Sequence, residues 1–317
     1  MFTFSICTYN HSNYIVQHLE SIKFIINTYS YHEKTSLLVC DDCSSDDTIE
    51  KVNFWINKNH SLFKKIKVVK SNTNQGTVLN FKRLIDNIDT PYFKLLAGDD
   101  VYNKYDIVKR YSSKNLIIGF SLPFNLNNND YFDNICNNYF TRQKMFLLNN
   151  NFKFYKKYIL ANNSFSSPAM GYNIEWLKEY NIYGKYENIK YIEDRPLWNF
   201  LFTKKKFEVE LELIPYVLYR NNVGVTSKNN TLHHEYLKDL ETIDKLCYSK
   251  KNIFDKLFKK VLFRIIFYIY KYIPLASSKK MWAYKKSITN NFHDYQLHLD
   301  MLIDKSKRFE SEFKKRT

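Results

Sequence analysis

Glycine is scarce in this chain: six in 317 residues, where average usage would supply about 22. A flexible array is excluded, and each glycine has a backbone reason to be where it is. Cysteines number five, an odd set at irregular spacing, which argues against a disulfide framework. Cys40 and Cys43 form a C-x-x-C with no second pair to complete a zinc site, and read as small residues beside a strand end. A long apolar leader is also missing. "MFTFSICTYN" has no basic start and no extended apolar core, so it reads as a first strand, and the expected location is cytoplasmic. Acidic residues are in deficit, 32 against 48 Lys and Arg, which leaves a net charge of +16. That excess implies an anionic partner: nucleic acid, a phosphorylated ligand or an anionic membrane. Aromatics, at 17%, are plentiful enough for a substantial packed core.

The first hundred residues alternate between two hydrophobic periods. "FTFSIC", "SLLVC", "KIKVV" and "YFKLLA" read as strands. Between them, "SNYIVQHLESIKFIINT", "SSDDTIEKVNFWIN" and "TVLNFKRLIDNI" read as helices, the first capped by Ser12 or Asn13 and the second by the Ser and Asp groups at its start. Such alternation with short connections is the signature of a parallel sheet flanked by helices. Ligands of such sheets sit beyond the carboxyl ends of the strands. Three of those ends are polar: Thr8-Tyr9-Asn10, Asp41-Asp42 and Asp99-Asp100. Adjacent carboxylates at a strand end repel unless water, a hydrogen bond or a cation takes up the charge. A solvated turn and a metal site are both open readings of Asp99-Asp100 on this ground alone.

Further on, the stretch from about 125 to 165 has no clean period. "IEWLKEY" reads as a helix, "YIEDRPLWNFLF" sets Glu193-Asp194 at the start of another, and the first half of "FEVELELIPYVLYR" alternates as a strand. From about 231 the chain turns helical and basic. In "FDKLFKKVLFRIIFYIYKYI", Phe254, Phe258, Val261, Ile265, Ile269 and Ile273 share one face, with Lys256, Lys260, Arg264 and Lys271 near the opposite one. The charges rule out a bilayer span, and leave an interfacial helix or a helix packed on the core.

Taken in order, "SICTYN", "LLVCDDCSSDDT", "NQGTVLNF" and "YFKLLAGDD" resemble the nucleotide-binding half of family 2 glycosyltransferases of the GT-A fold. "YIEDRPLWNF" and "PYVLYRNNVGVTS" resemble the acceptor half, so the resemblance runs from about 1 to 227. It implies a GT-A catalytic domain over 1–230, split into a nucleotide-sugar half (1–112) and an acceptor half (113–230), with a helical basic region over 231–317. The implied nucleotide-sugar set is Thr8, Tyr9, Asn10, Asp41, Asp42, Asn74, Gly76, Gly98, Asp99 and Arg220. Within it Asp41 meets a uracil-type base, Asp42 ties down its loop, and Gly98 lets the backbone approach the donor. Asp100, with Asp99, is implied to hold Mn²⁺ or Mg²⁺. Relatives often carry a further Asp where this chain has Ala97. Asp194 is the implied base, with Glu193 positioning the acceptor. Lys82 and Arg83 are candidates for phosphate, and Trp176 and Trp198 for stacking on sugar.

The function implied is inverting transfer of a sugar from a nucleotide-diphosphate donor, UDP by default, to a hydroxyl of a glycan or lipid-linked acceptor in surface-polysaccharide (capsule-type) synthesis. The implied partners are that donor and acceptor, with an anionic membrane surface as a further one, peripheral on the inner face of the cell membrane, and no nucleic acid. No oligomeric state is implied. Two rivals use the same residues: a metal-dependent nucleic-acid-processing enzyme and a non-catalytic nucleotide-sugar-binding protein.

Overall fold

The computed structural model describes residues 1–124, 136–160, 165–179, 188–204, 207–221, 223, 232–247, 253–272 and 279–316. Four strands form a parallel sheet in the order β3-β2-β1-β4: β1 (Phe2–Thr8), β2 (Thr35–Asp41), β3 (Lys65–Lys70) and β4 (Tyr92–Ala97). Residues from both faces of β1 and β2 are buried, the mark of a sheet covered on two sides. The covering helices are α1 (Ile15–Tyr29), α2 (Thr48–Asn59) and α3 (Thr77–Asn87). Register pairs Thr8 with Asp41 and Cys7 with Ala97, so the three polar strand ends stand at one edge. The chain proceeds outward from β1 through β2 to β3, then returns to β4 on the other side of β1. A crevice opens where the strand order reverses in this way.

The second half adds short elements. These are β5 (Val101–Tyr102), α4 (Ile107–Tyr111), β6 (Leu116–Ile118), β7 (Leu122–Phe124), α5 (Cys136–Leu148), α6 (Phe152–Leu160), α7 (Ile174–Lys178), α8 (Asp194–Lys204), β8 (Val209–Leu211) and β9 (Val217–Arg220). β9 lies between β5 and β7, and β6 pairs with β8. The alternating run from 207 is therefore two strands in two different sheets, broken at 212–216.

Four helices follow: α9 (His233–Cys247), α10 (Ile253–Tyr272), α11 (Lys279–Asn290) and α12 (Phe292–Lys314). They are not a unit apart from the rest. The rings of Phe309 and Phe313 on α12 lie 5.1 and 5.8 Å from Phe54 on α2, and Lys51 pairs with Glu310 at 2.7 Å. His298 bonds the carbonyl of Tyr102 at 3.0 Å. α10 and α11 both pack on α5. No helix among the described residues is long and apolar enough to cross a membrane.

The capping expectation fails at α1 and holds at α2 through a different residue of the acidic pair. Tyr14 holds the cap position of α1 without a side-chain bond, and the backbone of His11 closes that turn instead. Asp47 caps α2 in position only; the work falls to Asp46, which accepts from the N–H of Thr48 (3.1 Å) and of Ser12 (3.0 Å). Asp46 thus ties the start of one helix to the loop before the other.

Candidate active site

A cleft of about 1150 Å³ opens at the carboxyl edge of the parallel sheet. Its floor comes from the ends of β1 and β4: Thr8, Tyr9 and Asn10 on one side, Asp99 and Asp100 on the other. Asn10 is held in the left-handed region at φ 53°, which turns the chain sharply after β1. Its side-chain oxygen accepts from the N–H of Ser45, and its own N–H donates to Ser44 Oγ. The hydroxyl of Thr8 is buried at the cleft without a hydrogen-bond partner, which suits it to a ligand.

The two carboxylates after β2 divide their roles. Asp41 is fully buried, does not line the cleft, and both its oxygens are engaged by Ser44, one by the N–H at 2.9 Å and the other by the hydroxyl at 2.5 Å. Asp42 lines the cleft and accepts from the N–H groups of Gln75 and Gly76. Asp41 is thus spent on its own loop, while Asp42 lies at the cleft wall with its oxygens on the amides before α3. Gly76, at φ 88°, starts α3, and a side chain there would collide with the backbone of Lys190. Asn74 and Gly76 both line the cleft, as the resemblance implies.

Gly98 and Arg220 do not line it. A Cβ on Gly98 would come within 2.9 Å of both His11 and Ile15, so its bareness admits the segment that leads into α1. Arg220 is buried, sandwiched between the rings of Tyr14 and Phe124 at 4.6 and 4.7 Å. Its Nε donates to the carbonyl of Asp99 and its backbone N–H to Asp100 Oδ1, both at 2.8 Å. It is a brace beneath the Asp99-Asp100 pair. Arg83 is spent on Asn80, Ser71 and Gln75, and Lys82 on Asp86. Trp198 is buried against Phe165 and Tyr172, and Trp176 stacks on Phe207 at 5.0 Å; neither lines the cleft.

Asp99 and Asp100 fit a divalent cation. Burial, and then the neighbouring Asp99, push the Asp100 carboxyl well above the usual range, which is the penalty of two like charges that a cation would remove. Their oxygens suit hard cations such as Mg²⁺ or Mn²⁺. Among the described residues no group of three or more His, Cys, Asp or Glu is placed to hold a metal, so a cation here would draw its remaining ligands from a bound diphosphate and water.

Across the cleft stand Glu193 and Asp194, half-buried, at the start of α8. Burial, then the charge of Asp194, lifts Glu193 to about 8; Asp194 is raised by burial and eased by the Arg195 N–H it accepts at 2.6 Å. Both carboxyls of the pair are thus pushed toward the neutral form by burial. Between the halves, Ser166, Ser167 and Pro168 line the cleft. The buried Lys94 donates to the carbonyl of Met170 at 2.8 Å and fixes that segment on β4; burial drops its ammonium to about 7.

Several lining groups escaped the sequence reading: His11, Arg142, Arg195, Tyr191, Leu232 and Tyr236. A lysine inside "YFKLLA" was a visible signal for Lys94, which does not line the cleft; nothing in the pattern marked the lining groups. Asn221 and Val223 line the cleft, while Asn222 and most of "NNVGVTS" lie outside the described residues.

A sequence model described as Glycosyl transferase family 2 matches residues 3–180, more than half of the chain. The chain belongs to that family. Its fold is the GT-A arrangement, a parallel nucleotide-side sheet flanked by helices. No curated protein matches the chain. Among solved structures, TarS 1-349 of S. aureus is 18% identical over 79% of this chain and 72% of its own, at a TM-score of 0.48. TarS 1-349 in complex with UDP-GlcNAc is 15% identical, covering 100% and 92%, at 0.47. The mannosyltransferase PcManGT of Pyrobaculum calidifontis, in complex with GDP-Man and Mn²⁺, is 11% identical, covering 92% and 86%, at 0.49.

Proposed function

We propose that this glycosyltransferase is a metal-dependent, inverting enzyme that moves a sugar from a nucleotide-diphosphate donor to a hydroxyl of a glycan or lipid-linked acceptor in surface-polysaccharide synthesis. One observation carries the reading: a single cleft is lined on one side by Thr8, Asp42, Asp99 and Asp100 and on the other by Glu193 and Asp194. A donor site and a candidate base thereby face the same space. UDP is the nucleotide that the family resemblance favours.

In this reading Asp42 accepts a hydrogen bond from the base N–H, and Thr8 donates its unpartnered hydroxyl nearby. Asp99 and Asp100 would hold the cation, which would supply Lewis-acid stabilisation of the departing diphosphate. The acceptor hydroxyl attacks the anomeric carbon from the face opposite the leaving group. As the new bond forms, Asp194 takes the hydroxyl proton at its carboxylate. Glu193, pushed toward its neutral form by burial and by the charge of Asp194, donates a hydrogen bond to the acceptor.

The test is a thermal-shift and turnover screen of nucleotide-sugars with and without Mn²⁺. A rise in Tm with UDP plus Mn²⁺, absent with duplex DNA, and transfer to an acceptor extract that EDTA abolishes are expected. Full transfer in excess EDTA removes the metal from the reading. Binding without turnover on any acceptor makes the protein a sugar-nucleotide sensor.

A further inference from the structure

α10 is apolar on two faces and uses only one of them. Phe263 is buried in the core cluster, where its ring meets Phe154 and Tyr158 at 5.9 and 5.6 Å. Ile266 and Tyr270 pack beside it, and the Tyr270 hydroxyl accepts from Asn149 at 2.8 Å. Of the stripe that the sequence left open to core or interface, the described side chains are not in the core; Phe254 and Ile273 lie outside them. Phe258 (67% exposed), Val261, Ile265 and Ile269 lie in solvent, joined by Tyr268 and Tyr272. A core-packed helix with a solvated basic face would bury these residues. Exposing so many large side chains on one helix is costly in water and marks a surface that something covers.

Charge identifies the cover. α10 and α11 together carry nine Lys and Arg against one Asp, a net +8, which is half of the chain's +16. A second copy of this chain would set these two cationic helices against their like and repel. An anionic lipid surface attracts them, and its interface accepts Phe and Ile in the acyl boundary with Tyr and Trp at headgroup level. Trp282 on α11 is half exposed, in keeping with such a role.

We infer that α10 and α11 form a docking surface for an anionic bilayer, with α10 lying in the interface on its Phe258–Ile269 face. The docking stands whether or not the transferase reading does. Its consequence for the acceptor rests on that reading: Tyr158 lines the cleft and packs on Phe263, so a docked bilayer lies one helix away from the cleft wall.

The experiment is co-sedimentation of the full chain with vesicles of phosphatidylcholine alone or mixed with phosphatidylglycerol, together with the Phe258→Asp/Ile265→Asp double variant. Both positions are solvent-exposed, and circular dichroism and nucleotide-induced thermal shift check that the variant folds. Sedimentation of the wild type with the anionic vesicles is expected. It falls by more than about tenfold on raising salt to about 0.5 M, as screening requires, and is lost in the variant. Equal binding to neutral vesicles overturns the charge argument. Failure to bind anionic vesicles at low salt overturns the docking. A dimer in sedimentation velocity that the same substitutions dissolve assigns the face to a second copy and overturns it as well.

Discussion

One carboxylate oxygen of Asp239 accepts the backbone N–H groups of both Lys190 and Tyr191, at 2.9 and 2.6 Å. Asp239 belongs to α9, and the two amides belong to the segment that leads into Glu193-Asp194. The carbonyl of Lys190 in turn accepts from the N–H of Val78 in the first turn of α3. A helix assigned by sequence to a separate basic region therefore pins the acidic pair, and Leu232 and Tyr236 beside it line the cleft.

Removing that anchor is expected to misplace the pair without touching the donor side. Asp239→Ala lowers kcat by roughly 10²-fold, the cost of misplacing a reacting group by about 1 Å. Nucleotide affinity, measured by calorimetry, stays within a few-fold. Asp239→Asn keeps one acceptor oxygen and recovers part of the rate. Equal loss in both variants, with nucleotide binding gone, makes Asp239 a general stability residue.

Asp41 and Asp42 separate by experiment. Asp42→Asn is expected to weaken UDP binding by about tenfold or more, the value of a hydrogen bond to a charged group, and to lower Tm as well, because Asp42 also accepts from Gln75 and Gly76. Asp41→Asn removes the charge that holds Ser44, and costs about 1–3 kcal/mol of stability in urea titration. UDP affinity changes less in that variant. The reverse pattern returns the base contact to Asp41.

Asp194→Asn keeps size and removes basicity. Transfer falls by roughly 10²–10⁴-fold, while nucleotide and metal binding persist. With the Asp194 charge gone, one cause of the high Glu193 value disappears, so Glu193 titrates below about 8 in carboxyl-detected NMR. Near-normal turnover in Asp194→Asn passes the role of base to another carboxylate.

His298 makes stability depend on pH. Burial pushes its imidazole from the usual 6.5 down to about 4, between Phe24 and the Tyr102 carbonyl, with Lys104 and Lys305 adding to the effect. Above about pH 6.5 the ring is neutral in both folded and unfolded chains. As pH falls from about 6.5 to 4 the unfolded chain binds a proton that the folded one refuses, and stability drops by up to about 3 kcal/mol from this group. His298→Gln is expected to flatten the urea-midpoint profile across that window. His18, also lowered to about 4, keeps a residual slope in the variant. Parallel profiles for wild type and variant remove His298 as the cause.

What the sequence determined by itself was local and periodic. Alternating apolar residues set the strands, 3.6-residue spacing set the helices between them, and polar residues just past the strand ends marked the ligand edge. Parallel connection alone then forces Thr8, Asp42 and Asp99-Asp100 to one side, because every strand must run the same way. Tertiary structure decided the rest, and the reason is distance along the chain. Which of two adjacent aspartates faces the cleft depends on which one Ser44 engages as the loop folds. Whether Arg220 reaches a ligand depends on Tyr14 and Phe124, more than 90 residues away, closing over it. The Asp239 anchor joins residues 48 and 49 positions apart with no period between them. α10 carries apolar residues beyond its sequence stripe, and only its packing against α5 and α6 decided which of them meet the core and which are left for a partner.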